Sequence, residues 1–314
     1  MPPIVSFADY GGMDAIRKSL NEQMEQGIKA GIFKVPDFTG VIKEEVQIPT
    51  RDGSTLRAVQ YRPESGEQGP LFVYYHGGGW GFGFPEVNEP IFEILTKELG
   101  FTVVGVAYRL APEHTFPTAA NDAYDSLKWA AENASKLGSD PSKGIIVSGT
   151  SAGGNIAAVA AHEAMDQKLS PPLTGVFLNI PVLVHPDVVP DRYKPHYTSE
   201  EEFKEGIILD RKGMEFFYSE YKVDPKSKLI NPLLWPGGHK TQPPTYLQVC
   251  GMDPLRDDSL IYESLLKEGG VATRLDVYSG IPHAGLDLLP MLSQAKKSLR
   301  DMKAGVQWLL SQKP

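Results

Sequence analysis

The sequence predicts an α/β protein with a mixed, mostly parallel central sheet flanked by helices. Two observations carry this. Short apolar runs alternate with helical stretches over most of the 314 residues, the pattern of strands buried on both faces. Ahead of them, "VIKEEVQIP" and "TLRAVQYRP" flank "TRDG", two strands joined by an Asp-Gly turn. That antiparallel start makes the sheet mixed.

The elements follow in order. From Met13 to Ala30 the spacing predicts an amphipathic helix, with Ile16, Leu20, Met24 and Ile28 at intervals of four. After the hairpin come the apolar runs "LFVYYH" (71–76), "FTVVGVAY" (101–108), "GIIVSG" (144–149), "LTGVFLNIP" (173–181) and "PPTYLQVCG" (243–251). Helical stretches lie near 88–99, 119–136, 152–166 and 255–268. A further strand, "ATRLDVY" (272–278), precedes a last helix from about Leu289 to Leu310. One region breaks the rhythm. From Leu183 to His239 the chain is rich in Pro, Tyr and charge, with one helix-like piece, "RKGMEFFYSEY". As plain loop it would be too long for a compact domain. Its aromatics, Phe203, Phe216, Phe217, Tyr218 and Tyr221, argue against disorder. It is expected to be an insertion that packs with the N-terminal helix as a lid. The chain thus divides into an N-terminal cap segment (1–45), a core (46–182), a cap insertion (183–239) and the rest of the core (240–314), one catalytic domain in all.

Composition excludes several classes. A formal charge of −8 and a pI near 5.4 argue against non-specific nucleic-acid binding and adhesion to anionic lipid. The single cysteine, Cys250, rules out an internal disulfide framework and suits a reducing compartment. The N-terminus lacks a basic segment followed by an apolar run, no stretch is long enough to cross a bilayer, and "SQKP" is no recognised address or lipid site. The expectation is a soluble cytoplasmic protein without membrane insertion.

Ser151 opens the functional reading. Gly149-x-Ser151-x-Gly153 follows a strand and precedes a helix, the context a nucleophile elbow requires. The turn must be sharp, and a Cβ at either flanking position would collide with the neighbouring strand or helix. By itself the pattern also fits a serine cap on a glycine-softened helix start. "HGGGW", His76 to Trp80, directly follows the strand "LFVYY". Three successive glycines lose much conformational entropy on folding and need a local reason. Here the N–H groups of Gly78 and Gly79, with that of Ala152, would make a three-donor oxyanion hole. His76 is expected to brace that loop rather than transfer protons. Asp253 lies just beyond the strand "TYLQVC", and His283 just beyond "RLDVY", both at the sheet edge where active sites gather. The order Ser…Asp…His is that of the α/β-hydrolases. Asp257 and Asp258 compete with Asp253, but at a helix start they suit capping or solvation. His114, His162, His185, His196 and His239 occupy no matching strand end.

The sequence resembles the hormone-sensitive-lipase-like esterases of the α/β-hydrolase fold, from about residue 40 to the C-terminus. The resemblance rests on "HGGGW", "YRLAPEHTFP" (108–117), "GTSAGGN", "DPLRDD" and the late histidine. It implies a helical cap built from the N-terminal helix and the insertion before strand seven. It also implies a structural role for "YRLAPEH", with Arg109 and Glu113 bracing loops under the site. Two departures stand out. Thr150 sits where family members commonly carry an acidic residue, so the chain looks like the GTSAG branch. Ala284 and Gly285 follow His283 where Gly-Phe is usual, which leaves the adjoining pocket wall open.

The expected chemistry is hydrolysis of small to medium, largely apolar carboxylic esters by Ser151, His283 and Asp253. No metal or organic cofactor is called for. Trp80, Phe82, Phe84 and Phe216 are expected to line the pocket. The same machinery could release an acyl group or assist a cyclisation in a biosynthetic pathway. A receptor for a small molecule is the reading from another class: the gibberellin receptors resemble this family but lack the catalytic histidine, which this chain keeps. The last strand and helix would leave a sheet edge for a second copy, so a homodimer stays open by analogy of fold.

Overall fold

Met13–Lys29 forms α1, whose Met13 and Ile16 are buried against the core. In the computed structural model, which describes residues 6–312, α1 is followed by the hairpin of β1 (Val41–Pro49) and β2 (Thr55–Pro63). The expectations that touch residues 1–5 and the last two residues lie outside that range. The hairpin turn closes as expected on Gly53, whose N–H donates to the Thr50 carbonyl at 3.0 Å with φ +83°. The sheet begins at Val41, ahead of the boundary drawn at residue 46.

The alternation then runs β3 (Leu71–Tyr75), α2 (Glu89–Glu93), β4 (Thr102–Val106), α3 (Thr118–Glu132), β5 (Ile145–Thr150), α4 (Ala152–Asp166) and β6 (Gly175–Asn179). The expected helix at 88–99 is composite: a tight 3₁₀ turn at Pro85–Asn88, then α2, then a wide π turn at Ile94–Glu98. The insertion is ordered, carrying α5 (Ser199–Glu202) and α6 (Arg211–Tyr221). After it come β7 (Thr245–Met252), α7 (Arg256–Glu268), β8 (Thr273–Pro282), a short α8 (Gly285–Leu288) and α9 (Ser293–Ser311). The last helix, expected from about Leu289, begins at Ser293 and runs unbroken to Ser311.

The eight strands are ordered β1-β2-β4-β3-β5-β6-β7-β8, and β2 alone runs against the rest. Strand residues alternate between two cores, as a period of two dictates. Leu71, Val73 and Tyr75 face the alanines of α3 and α4, while Phe72 and Tyr74 face Phe92 and Leu95 and the α9 side chains Met302, Val306 and Leu309. Helix α4 is buried almost all round, which its run of alanines permits. At the carboxyl ends of β3, β5, β7 and β8 the chain turns into the loops that carry "HGGG", Ser151, Asp253 and His283. No described helix is long and apolar enough to span a membrane.

Candidate active site

The β5–α4 junction is as tight as the sequence requires. Ser151 sits at φ 55°, ψ −119°, a conformation disfavoured for a residue with a Cβ and held only when its surroundings over-determine it. They do so here. A Cβ on Gly149 would overlap the Gly153 carbonyl, and one on Gly153 would overlap the carbonyls of Tyr75 and His76. The Ser151 N–H donates to Asn179 O at 2.9 Å, which ties the turn to β6. Thr150 adds a second tie through its hydroxyl, which contacts Tyr74 Oη at 2.6 Å and accepts from Asn179 Nδ2 at 3.2 Å.

The three residues singled out at the strand ends meet. His283 Nδ1 lies 2.7 Å from Asp253 Oδ2, and His283 Nε2 lies 2.9 Å from Ser151 Oγ. Asp253 is 1 % exposed and His283 6 %. The second Asp253 oxygen accepts the Leu255 N–H at 2.8 Å, which fixes the carboxylate plane. An acceptor-only carboxylate accepts a hydrogen bond from Nδ1–H, which keeps the imidazole proton on Nδ1 and leaves Nε2 to accept from the serine hydroxyl. That arrangement can draw a proton from Ser151 as its oxygen attacks.

The glycine loop lies against this row. Gly78 and Gly79 take φ +127° and +55°, conformations open to glycine at little cost. Among the described residues, the N–H groups of Gly78, Gly79 and Ala152 donate to no backbone or side-chain acceptor. Ala152 opens α4, so the positive end of that helix dipole also faces the turn. His76 braces the loop as expected: it is buried, its Nδ1 contacts Gly77 O at 2.8 Å, and its ring stacks on Tyr108. Burial pushes its pKa down to about 4, so it is neutral at pH 7.

"YRLAPEH" proves to be bracing. Arg109 binds the buried Asp122 of α3 through Nη2 at 2.6 Å and reaches Asp52 of the hairpin turn at 2.7 Å. Glu113 pairs with Arg17 of α1 at 2.6 Å. The competing aspartates are anchors, not solvated caps. Asp257 accepts the N–H groups of Thr198 and Ser199 at 2.7 and 2.8 Å. Asp258 is fully buried, accepts those of Leu183 and Val184 at 2.7 and 3.1 Å, and is pushed by burial up to about 7.

The expected pocket wall divides. Trp80 belongs to the core, 1 % exposed and stacked on Tyr221 with centroids 5.2 Å apart. Phe84 is 36 % exposed at the head of the 3₁₀ turn before α2. Phe82 and Phe216 do join an aromatic group, but its centre is Phe217, 5.9 and 5.6 Å from them and 5.1 Å from Phe7. The Phe217 ring fills the space a Gly79 Cβ would take. The period Met214–Phe217–Tyr221 marks the buried face of α6 and could have selected Phe217 over Phe216. Arg17 carried no comparable signal. Ala284 takes φ 55° directly after His283, and a Cβ on Gly285 would press on Pro282.

A serine at a strained strand-to-helix turn, within reach of an oriented imidazole, defines a serine hydrolase of the α/β class. Comparison with known proteins agrees. The family described as alpha/beta hydrolase fold matches residues 72–286, and the chain belongs to it, as a hormone-sensitive-lipase-like esterase. An AB hydrolase superfamily protein of Schizosaccharomyces pombe is 40% identical over 94% of this chain and 87% of its own length. The versiconal hemiacetal acetate esterase of Dothistroma septosporum is 37% identical over 96% and 90%. Among solved structures, vibralactone cyclase superposes with a TM-score of 0.90 at 34% identity, covering 98% of this chain and 91% of that one.

Proposed function

We propose that this esterase cleaves small to medium, largely apolar carboxylic esters through an acyl-enzyme on Ser151. The observation that carries the reading is the 2.9 Å approach of His283 Nε2 to Ser151 Oγ on a strained elbow, with Asp253 behind the imidazole. Ser151 Oγ attacks the carbonyl carbon while its proton passes to His283 Nε2. The negative oxygen of the tetrahedral adduct takes hydrogen bonds from Gly78, Gly79 and Ala152, each important donor contributing roughly 3–4 kcal/mol. Collapse expels the alcohol, which leaves with the His283 proton. Water then attacks the acyl carbon, giving up its proton to His283, and the acid departs as Ser151 recovers its hydrogen.

The aromatic group of Phe7, Phe82, Phe216 and Phe217 supports an apolar substrate of limited size. Phe7 and α6 meet directly, and Ser6 Oγ donates to Asp210 at 2.7 Å, which supports a cap formed jointly by the N-terminal segment and the insertion. The acidic charge and the lone buried cysteine support a cytoplasmic setting without nucleic acid as partner. The test is turnover of p-nitrophenyl acetate together with labelling by a serine-directed phosphonate. The reading requires both, with the label on Ser151 and both lost in Ser151→Ala. Tight binding of a small ligand with neither would favour a receptor.

A second reading keeps the same residues and changes the acyl acceptor. The 0.90 TM-score to a cyclase supports it. An internal hydroxyl or carbon nucleophile held near the acyl carbon would then replace water, and the product would be a ring instead of an acid.

A further inference from the structure

We propose that Arg17, on α1, is a positioning residue for the oxyanion loop, and that the N-terminal helix thereby takes part in catalysis as well as in covering the site. The inference rests on the esterase reading above. The Arg17 Nε–H donates to Gly81 O at 2.9 Å, and Nη2 donates to Ala111 O at 2.8 Å. Glu113 accepts from Nη1 and Nη2 at 2.6 and 2.8 Å. This two-point grip holds the guanidinium in one plane. The loop then closes on itself: Ala111 N–H donates to Trp80 O at 2.8 Å, and the N–H groups of Gly81 and Phe82 both donate to Gly78 O at 3.0 Å.

The loop needs such a grip. Gly78, Gly79 and Trp80 all have positive φ, and for Trp80 that conformation is unfavourable and persists only where its neighbours impose it. Among the described residues, three side chains bond to the loop's carbonyls: Tyr108 on His76 O, His76 on Gly77 O and Arg17 on Gly81 O, and of these only Arg17 holds a carbonyl beyond the oxyanion glycines, on their C-terminal side. Met13, one turn before Arg17, packs its methyl where a Gly81 Cβ would stand. Arg17 touches neither Ser151 nor His283. It acts through Gly78 and Gly79, whose N–H groups must meet an oxygen that exists only after attack.

The experiment compares wild type with Arg17→Met and Arg17→Lys on p-nitrophenyl acetate, with hydrogen exchange of the peptide spanning 76–84 as a readout independent of activity. Arg17→Met should lower kcat roughly tenfold to a hundredfold with KM within about threefold, because a displaced donor weakens the adduct and not substrate binding. Exchange in 76–84 should quicken. Arg17→Lys should recover little, since a single ammonium nitrogen cannot reproduce the spacing of the Nε and Nη2 donors across the two carbonyls, while Lys97→Ala, an exposed pair with Asp37, should match wild type. A folded Arg17→Met with unchanged kcat, a loss confined to KM, or unchanged exchange would overturn the proposal. If Arg17→Met does not fold, Glu113→Gln replaces it: it leaves both main-chain bonds but frees the fork, so kcat should drop about threefold with quicker exchange, and no change in either overturns the proposal. Absence of turnover and of Ser151 labelling in wild type sinks the esterase reading instead, and the exchange comparison still decides the clamp.

Discussion

At the scale of single residues, the site is a set of short chemical dependencies. Asp253→Asn keeps the shape but leaves an amide that can donate to Nδ1, which favours the wrong imidazole tautomer. By that logic kcat should fall by about four orders of magnitude. Asp257→Asn, in the same stretch of sequence, should leave kcat within a few-fold while lowering stability by roughly 1–3 kcal/mol, because it weakens a buried acceptor. Steady-state kinetics and urea denaturation on the pair separate the two roles, and a reversal would mean that the acid had been misassigned. Gly153→Ala makes the opposite kind of change. It leaves every reactive group in place but drives a Cβ into two carbonyls of the β3 end, so the folded yield should collapse before any kinetic defect can be measured.

At the scale of elements, α6 brings an aromatic side chain onto the oxyanion loop. Its Phe217 lies on Gly79 and contacts both Phe7 and Phe82. Phe217→Ala should therefore open space beside the oxyanion loop. The kcat/KM ratio of p-nitrophenyl hexanoate to acetate should rise by about tenfold, the range expected for a few buried methylenes. A ratio that stays level would place the acyl chain elsewhere. The insertion that brings α6 there is held by α7, where Asp257 fixes Thr198 and Ser199 and Asp258 fixes the chain at Leu183 and Val184. "DPLRDD" is thus one short segment with two duties, one aspartate in the triad and two holding the insertion.

For the whole molecule, buried titratable groups set the dependence of stability on pH. His76 is depressed to about 4, and His162 and His239 are also depressed, by burial first. A folded pKa below the unfolded value near 6.5 means stability that is complete above that pH and lost as pH falls through the folded value. For His76 the loss is roughly 3 kcal/mol. Asp258 works in the opposite sense. Raised to about 7 from 3.8, it adds stability at low pH that disappears as pH rises toward 7. Asp287, raised by burial to about 6, acts in the same sense as Asp258, and His185, also depressed by burial, joins the other histidines. With four histidines against two carboxyls, Tm should drop between pH 6.5 and 4. Asp258→Asn should make that drop steeper. A Tm flat across the window in wild type would mean that the histidines are not held neutral by the fold.

The sequence alone determined the strand-and-helix order, the antiparallel start and the residues of the triad. Each depends on local chemistry: apolar period, turn residues, and glycines that the elbow needs wherever it occurs. Ser151, Asp253 and His283 were legible because each follows directly on a strand, and parallel strands deliver their C-terminal ends to one edge. Only the tertiary structure decided what lies over that edge. The period of α6 marks Phe217 as buried, but that it meets Gly79 depends on where the insertion docks, and Trp80 falls into the core, where its ring stacks on Tyr221. Arg17 reaches Gly81 and Ala111 across 64 and 94 residues of chain, and no periodicity in the sequence records a contact between two main-chain carbonyls and a distant side chain.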